Sequence, residues 1–269
     1  LPHAGVGRTT NIPMADSPRI VLWDIETTHN LAAIFKLFED YTSHENIIQE
    51  RYIVCAAWKV LGEKRVHAVS TLDNPTLYRQ DPHNDRHVVT VLHRVLSTAD
   101  AIVAHNGDQY DIKFAEGRMV AHGLSPLPPI PSIDTLKVAK SRLLLNSNKL
   151  DYLARYFGFG RKIATHNELW LRVLQGDAKA IRKMVTYNKH DVVLLEKVFK
   201  KLRPYVANHI NRQLFGHTEG CPRCGSQHVQ SRGTHKAISR TYYRFQCIAC
   251  GGWFRAVKPV IARVASRIL

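Results

Sequence analysis

The sequence predicts an α/β fold, a mixed sheet flanked by helices, followed by a small β-rich module at the C-terminal end. Three observations carry this. Short β-rich apolar runs alternate with amphipathic segments between Met14 and about residue 135; the periodicity turns helical from about 147 to 203; and the last quarter is strongly basic and holds two cysteine pairs. At 269 residues the chain has room for one large domain and a small appendage, and with 45% hydrophobic and 22% charged residues it is neither disordered nor fibrous in composition.

Taken in order, residues 1–13 (LPHAGVGRTTNIP) carry no periodicity and precede Met14; they are expected to be a cloning remnant or an unstructured extension. Residues 19–25 (RIVLWDI), 52–60 (YIVCAAWKV), 65–71 (RVHAVST) and 101–105 (AIVAH) read as strands, and residues 87–99 (HVVTVLHRVLSTA) as a helix. Four prolines within residues 125–131 require an extended connection, after which 132–144 resumes a helical pattern. Residues 148–158 form a helix closed by Gly158 or Gly160. A long amphipathic helix over 177–202 follows, with Ile181, Met184, Val185, Val192, Leu195, Val198, Phe199 and Leu202 recurring mostly at three- and four-residue intervals. Pro204 ends it, and 204–219 reads as a linker.

The net charge of +16 is unevenly spread. Residues 201–269 hold twelve Lys/Arg against Glu219 alone, whereas residues 1–200 hold 26 against 21. Such a basic block suits a polyanion, and nucleic acid is the expected partner. No apolar run approaches the roughly 18 to 20 residues of a membrane span, and no charged and then hydrophobic leader opens the chain, so a soluble intracellular protein is expected, of the cytoplasm or nucleoid or of viral origin.

Three acidic motifs stand out. Asp24 and Glu26 end the first strand two residues apart, hence on one face, where two carboxylates crowd a small volume unless a divalent cation lies between them; two solvated acids at a strand end are the plain alternative. In 101–114 (AIVAHNGDQYDIKF) an apolar strand runs into Asn106 and then Asp111, which by itself reads equally as a first-turn acid of a helix. Tyr187 and Asp191 sit one turn apart on the long helix and so share a face; alone they read as a hydrogen-bonded structural pair.

In this order the three pieces, D-x-E at Asp24 and Glu26, N-x-x-x-[FY]-D from Asn106 to Asp111 and Y-x-x-x-D from Tyr187 to Asp191, resemble the DEDD superfamily of 3′-to-5′ exonucleases. The tyrosine subclass (DEDDy) fits, because the histidine subclass needs His where this chain has Thr186. The likeness is greatest to the proofreading exonuclease domain of family B DNA polymerases and covers about residues 18–203, with no polymerase region after it. It implies a ribonuclease H-like fold, two Mg²⁺ or Mn²⁺ ions held by Asp24, Glu26, Asp111 and Asp191, and Tyr187 as the residue that orients the attacking water. It further implies hydrolysis of phosphodiesters from 3′ ends, of single-stranded DNA by preference, in replication or repair and in concert with another protein of that machinery. Thr27 and Asn106 would lie against the terminal nucleotide. Asp134 is expected to be a helix N-cap and His105 an ordinary strand-end residue.

Residues 221–224 (CPRC) and 247–250 (CIAC) give two C-x2-C pairs separated by 22 residues. Cys221, Cys224, Cys247 and Cys250 meet the demand of one structural Zn²⁺, two disulfides being disfavoured in an intracellular setting; Cys55, in an apolar strand, is expected to be simply buried. Between and after the pairs lie Arg232, Lys236, Arg240, Tyr243, Arg244 and Arg255, cations interleaved with aromatics in a manner suited to phosphates and stacked bases. The segment resembles zinc ribbons of DNA-binding and transposase-associated proteins. The expected organisation is therefore a nuclease-like domain at 14–203, a linker at 204–219 and a zinc-ribbon module at 220–269. Two other readings share these residues: a non-catalytic replication or repair scaffold, and an endonuclease or exoribonuclease on the same fold.

Overall fold

The structure, a computed structural model, describes residues 17–36, 41–215 and 219–261, so the expectation for residues 1–13 falls outside the described residues. In chain order the elements are β1 (Ile20–Thr27), β2 (Leu31–Ala32), β3 (Ile47–Gln49), β4 (Ile53–Val60), β5 (His67–Ser70), α1 (Pro75–Gln80), α2 (Arg86–Ser97), β6 (Ala101–Ala104), α3 (Asp111–Ala121), β7 (Ser132–Asp134), α4 (Thr135–Arg142), α5 (Leu150–Tyr156), α6 (Asn167–Leu174), α7 (Ala178–Leu202), β8 (Val229–Lys236), β9 (Thr241–Cys247) and β10 (Trp253–Ile261). The chain divides into two compact units, whose described residues lie within 19–209 and, for the other, within 17–18 and 210–261.

The first unit is built on a mixed sheet of order β5-β4-β1-β6-β7 among the described residues. β1 lies in the middle, antiparallel to β4 and parallel to β6, and both its faces are covered, which is why its apolar residues do not give way to polar ones. Alternation still decides direction. Val21, Trp23 and Ile25 pack with Val88, Val89, Leu92 and Leu96 of α2, so Asp24 and Glu26 face the other way, toward α7. Opposite them on β4 stand Ala57 and Cys55, small residues that leave room beside the carboxylates.

The 25-residue α7 covers that second face, its N-cap Asp177 accepting from the Lys179 and Ala180 amides. The apolar stripe read from the sequence is buried along nearly all its length. Across it, the Lys59 ammonium of β4 meets Glu196 at 2.5 Å, both side chains about nine-tenths buried, and Lys200 adds a second contact to Glu196 at 2.7 Å. The sequence pattern misses β7, which opens the stretch expected to be wholly helical, and α6, a short helix without a side-chain N-cap bond.

Asp85, at the N-cap of α2 and fully buried, ties three elements together. It accepts from the Ile53 amide of β4 (2.9 Å), takes two hydrogen bonds from Arg118 of α3 (2.8 and 2.7 Å), and lies 2.5 Å from His122 Nε2. Burial by itself would raise its pKa, but the bonds from Arg118, His122 and Ile53 hold the carboxyl below the usual carboxylate range. A folded-state pKa below the unfolded one stabilises the fold above the unfolded value of about 3.9, and that stabilisation fades as pH falls through it.

The second unit is an antiparallel sheet of order β10-β9-β8 with two cysteine-bearing turns at one end. Each turn closes with an amide-to-carbonyl bond, Gly225 to Cys221 and Gly251 to Cys247, and each of these glycines has a positive φ (79° and 75°) that an L side chain would strain.

Replacing Asp85 by Ala should cost about 3 kcal/mol, because it strands a partly buried arginine and an amide. Urea unfolding at neutral pH measures this, and the gap between wild type and variant should narrow as the pH is lowered past about 4.

Candidate active site

The site begins where β1 ends. Ligand oxygens of Asp24, Glu26 and Asp191 lie within 4.8 Å of one another, brought together by β1 and α7 from positions about 165 residues apart. Asp111, the first residue of α3, stands beside this trio but not within that distance; it is buried, and its Oδ1 is 3.4 Å from the Ile25 amide. Its approach depends on the turn after β6. Asn106 there has φ +69°, its amide held by Asp134 Oδ1 at 2.9 Å, and a Cβ on Gly107 would meet the Ala104 Cβ at 2.4 Å. Asp134 is the N-cap of α4, as expected from sequence, bonding the Leu136 amide at 2.9 Å.

Four carboxyl groups in one buried volume resist ionisation together. Burial first, and then the charges of Asp111, Glu26 and Asp191, push Asp24 well above the usual carboxylate range. Glu26 is pushed up to about 8 by burial and then by Asp191, and Asp111 up to about 6 by burial. Asp191 is raised by burial, with Lys162 opposing the shift, and its Oδ1 is buried without a hydrogen-bond partner among the described residues. A divalent cation would relieve all of these at once.

Three neighbours shape the centre. Asn188 donates from Nδ2 to Asp24 Oδ2 at 2.7 Å, fixing that carboxylate. Lys162, in the loop between α5 and α6, places Nζ 2.5 Å from Asp191 Oδ2 and 3.4 Å from the Tyr187 hydroxyl, and 5.4 Å from the centre of the Tyr187 ring. Burial disfavours its charge, yet Asp191 and Asp24 hold its pKa above the ordinary lysine value. The Tyr187 phenol is pushed up to about 12 by burial and then by Asp191, so it remains protonated at neutral pH.

Neither Asn188 nor Lys162 was among the site residues expected from the sequence. Asn188 had a signal: with Met184, Asp191 and Leu195 it falls on the apolar stripe of α7, where an amide asks for a partner. Lys162 had none.

Beyond Glu26 the strand end opens into a cavity of about 360 Å³, lined by Thr27, His29, Arg51, Tyr110 and Trp170 among others. Thr27 Oγ1 and the Tyr110 hydroxyl share a hydrogen bond of 2.7 Å. The Arg51 guanidinium lies over Phe114 at 5.0 Å, and Trp170 and His29 approach ring to ring at 5.7 Å. Thr27 is thus in this cavity, whereas Asn106 is engaged through its backbone in the turn before α3. His105 bonds the Thr135 hydroxyl through Nδ1 at 2.9 Å, and Cys55 is buried.

In the second unit, Cys221 and Cys250 Sγ are 3.7 Å apart and Cys224 and Cys247 Sγ 3.6 Å, with all four sulfurs within 4.8 Å. One face of its sheet stacks cations on rings: Arg255 lies 3.7 Å from the Tyr242 ring centre and Arg244 5.1 Å from that of Trp253, while Arg244 also donates to the Arg232 carbonyl. Tyr243 is half exposed, and Lys236 and Arg240 flank the β8–β9 turn. Phe245 and Phe254 pair at 5.5 Å as part of the unit's own packing.

The arrangement has relatives. The chain is 25% identical over 199 residues to the DNA polymerase III PolC-type of Ureaplasma parvum serovar 3 (strain ATCC 700970), an alignment that takes in 70% of this chain but 13% of that protein. Its fold is similar to a solved structure of the family B DNA polymerase from the hyperthermophilic archaeon Pyrobaculum calidifontis, with a TM-score of 0.52 and 18% identity, over 81% of this chain and 28% of that one. A family model described as the RNase_H superfamily matches residues 62–203, which include Asp111, Tyr187 and Asp191. That match spans more than half of the sequence, and the chain belongs to the RNase_H superfamily.

Proposed function

We propose that this protein is a metal-dependent 3′-to-5′ exonuclease of the tyrosine subclass (DEDDy), acting preferentially on single-stranded DNA, with its C-terminal unit a zinc ribbon that helps hold the substrate. The observation that carries the reading is the convergence of Asp24, Glu26 and Asp191, with Asp111 beside them, in a volume whose charge the protein's own cations leave uncompensated. The likeness of fold to polymerases that act on DNA supports the same reading.

Asp24, Glu26, Asp191 and Asp111 would hold two Mg²⁺ or Mn²⁺ ions; all their donors are hard oxygens, and the unpartnered Asp191 Oδ1 is a free ligand atom. When bound, such ions lower the pKa of a water molecule and stabilise the departing 3′ oxygen. Asn188 keeps Asp24 turned toward the centre. Tyr187, protonated, orients the water through its hydroxyl rather than removing its proton. Lys162 offers positive charge next to Asp191, where phosphate oxygens would arrive. The cavity lined by Thr27, Tyr110 and Trp170 suits the terminal nucleotide, with aromatic faces for a base and Arg51 for its phosphate.

For the ribbon, tetrahedral Zn²⁺ at a Zn–S distance of about 2.3 Å sets sulfurs about 3.8 Å apart, close to the 3.6 and 3.7 Å observed. Arg232, Arg244 and Arg255, with Lys236, Arg240 and Tyr243 nearby, would then track phosphates and bases.

With Mg²⁺ or Mn²⁺, 5′-labelled single-stranded DNA should give a ladder shortened from its 3′ end, faster than the matching RNA; cleavage of closed circles, or persistence of activity in excess chelator, would reject the assignment. Asp24→Asn and Asp191→Asn should abolish hydrolysis without loss of fold by circular dichroism. Tyr187→Phe should slow turnover about tenfold, the worth of one hydrogen bond. Strong zinc chelation should unfold residues 219–261 before the first unit, because so small a segment draws its stability from metal; hydrogen exchange resolved by segment reads the order of loss.

A further inference from the structure

The first turns of α7 concentrate positive charge. Within the helix they carry Lys179, Arg182 and Lys183 and no acid, and the one carboxylate at this end, the N-cap Asp177, is already engaged by the Lys179 and Ala180 amides and by Arg172. Lys179 and Lys183 are moreover one turn apart on one face, where like charges repel. Both are exposed, and among the described residues neither has an ion-pair partner. A pair of like charges with no counter-charge of its own gains from an anion set between the two ammonium groups.

The two lysines line a cavity of about 320 Å³ between α7 and α6, over buried Leu169 and Ala180. On the α6 side it is bounded by Arg172 and His166, with Glu168 the one acid of the lining. Asp177 fixes the Arg172 guanidinium, bonding Nε at 2.9 Å, yet the arginine side chain stays 45% exposed. The position along the helix is informative. At ~1.5 Å per residue, Lys183 stands about 12 Å and Lys179 about 18 Å from Asp191, with Tyr187 between them and Lys162 beside both Tyr187 and Asp191. Positive side chains therefore follow α7 from the carboxylate centre to the cavity.

We propose that this cavity binds backbone phosphates of the substrate strand, a few nucleotides upstream of the 3′ end that lies at the carboxylates. The assignment rests on the exonuclease reading for its direction, and on the lysine pair and cavity alone for its ligand. The cavity thereby favours strands long enough to reach it.

The test compares wild type with Lys179→Ala/Lys183→Ala on a dinucleotide and on a single-stranded decanucleotide, in Mg²⁺. The variant should show a KM for the decanucleotide raised about tenfold, with kcat and dinucleotide hydrolysis unchanged. Loss of two phosphate contacts should also reduce the slope of log binding constant against log salt by about 1.4, read by fluorescence anisotropy in Ca²⁺. Equal decanucleotide KM and equal salt slopes in the two proteins would overturn the proposal while leaving the exonuclease reading intact. If wild type hydrolyses neither substrate, the exonuclease reading fails instead, and the salt slope alone decides for or against the cavity. Competition by inorganic phosphate that is lost in the variant, with decanucleotide binding unaltered, would mark a free-anion site and also overturn it.

Discussion

Electrostatic repulsion among buried carboxylates is the constraint around which the first unit is organised. Asp24, Glu26 and Asp191 are held closer than their charges allow in a medium of low polarity, so each raises the cost of ionising the others. A fold tolerates such a knot only if its backbone is fixed by other interactions. Here β1, the middle strand, is paired on both sides and apolar toward α2, which leaves the two acids no alternative direction. Asn188 and Lys162 supply partial compensation, one by hydrogen bond and one by charge. Neither neutralises the whole set, which is the physical reason for reading the centre as a cation site.

The surrounding scaffold separates stability from chemistry. Asp85 is also a buried carboxylate, but with an arginine, a histidine and an amide around it, its pKa moves down where those of the site move up. The contrast shows that burial alone does not mark a reactive group; the missing partner does.

Much of this was legible in the sequence because it is periodic. β1 and α7 are long enough to show their repeats, and an acid on an otherwise apolar face is conspicuous, as with Asp24, Glu26 and Asp191. β7, at three residues, is too short to display alternation, and it reads as the start of the helix that follows it. Lys162 was invisible for a different reason: it lies in an irregular loop, and its approach to Asp191 depends on how that loop is tied down, in part by its own amide bonding Asp151 at 2.9 Å. The basic wall at the start of α7 did not emerge from the sequence, since the facing residues on α6 become its neighbours only after folding. Asp111 was legible as an acid after a strand, but its depth is set by Asn106 and Gly107, whose backbone demands appear only in the turn itself.

The buried Lys59 and Glu196 pair has a role that neither its charge nor its location in the core describes. Glu196 is five residues beyond Asp191 on the same rigid helix, and Lys59 is on the strand that neighbours β1. Together they index α7 against the sheet, as a key fixes a shaft. A helix that slid by one residue would turn each side chain by about 100°, carrying Asp191 out of reach of Asp24. An apolar contact at that position would pack as well, but it would accept neighbouring registers with little loss; a slip here would leave the buried Lys59 ammonium without its carboxylate.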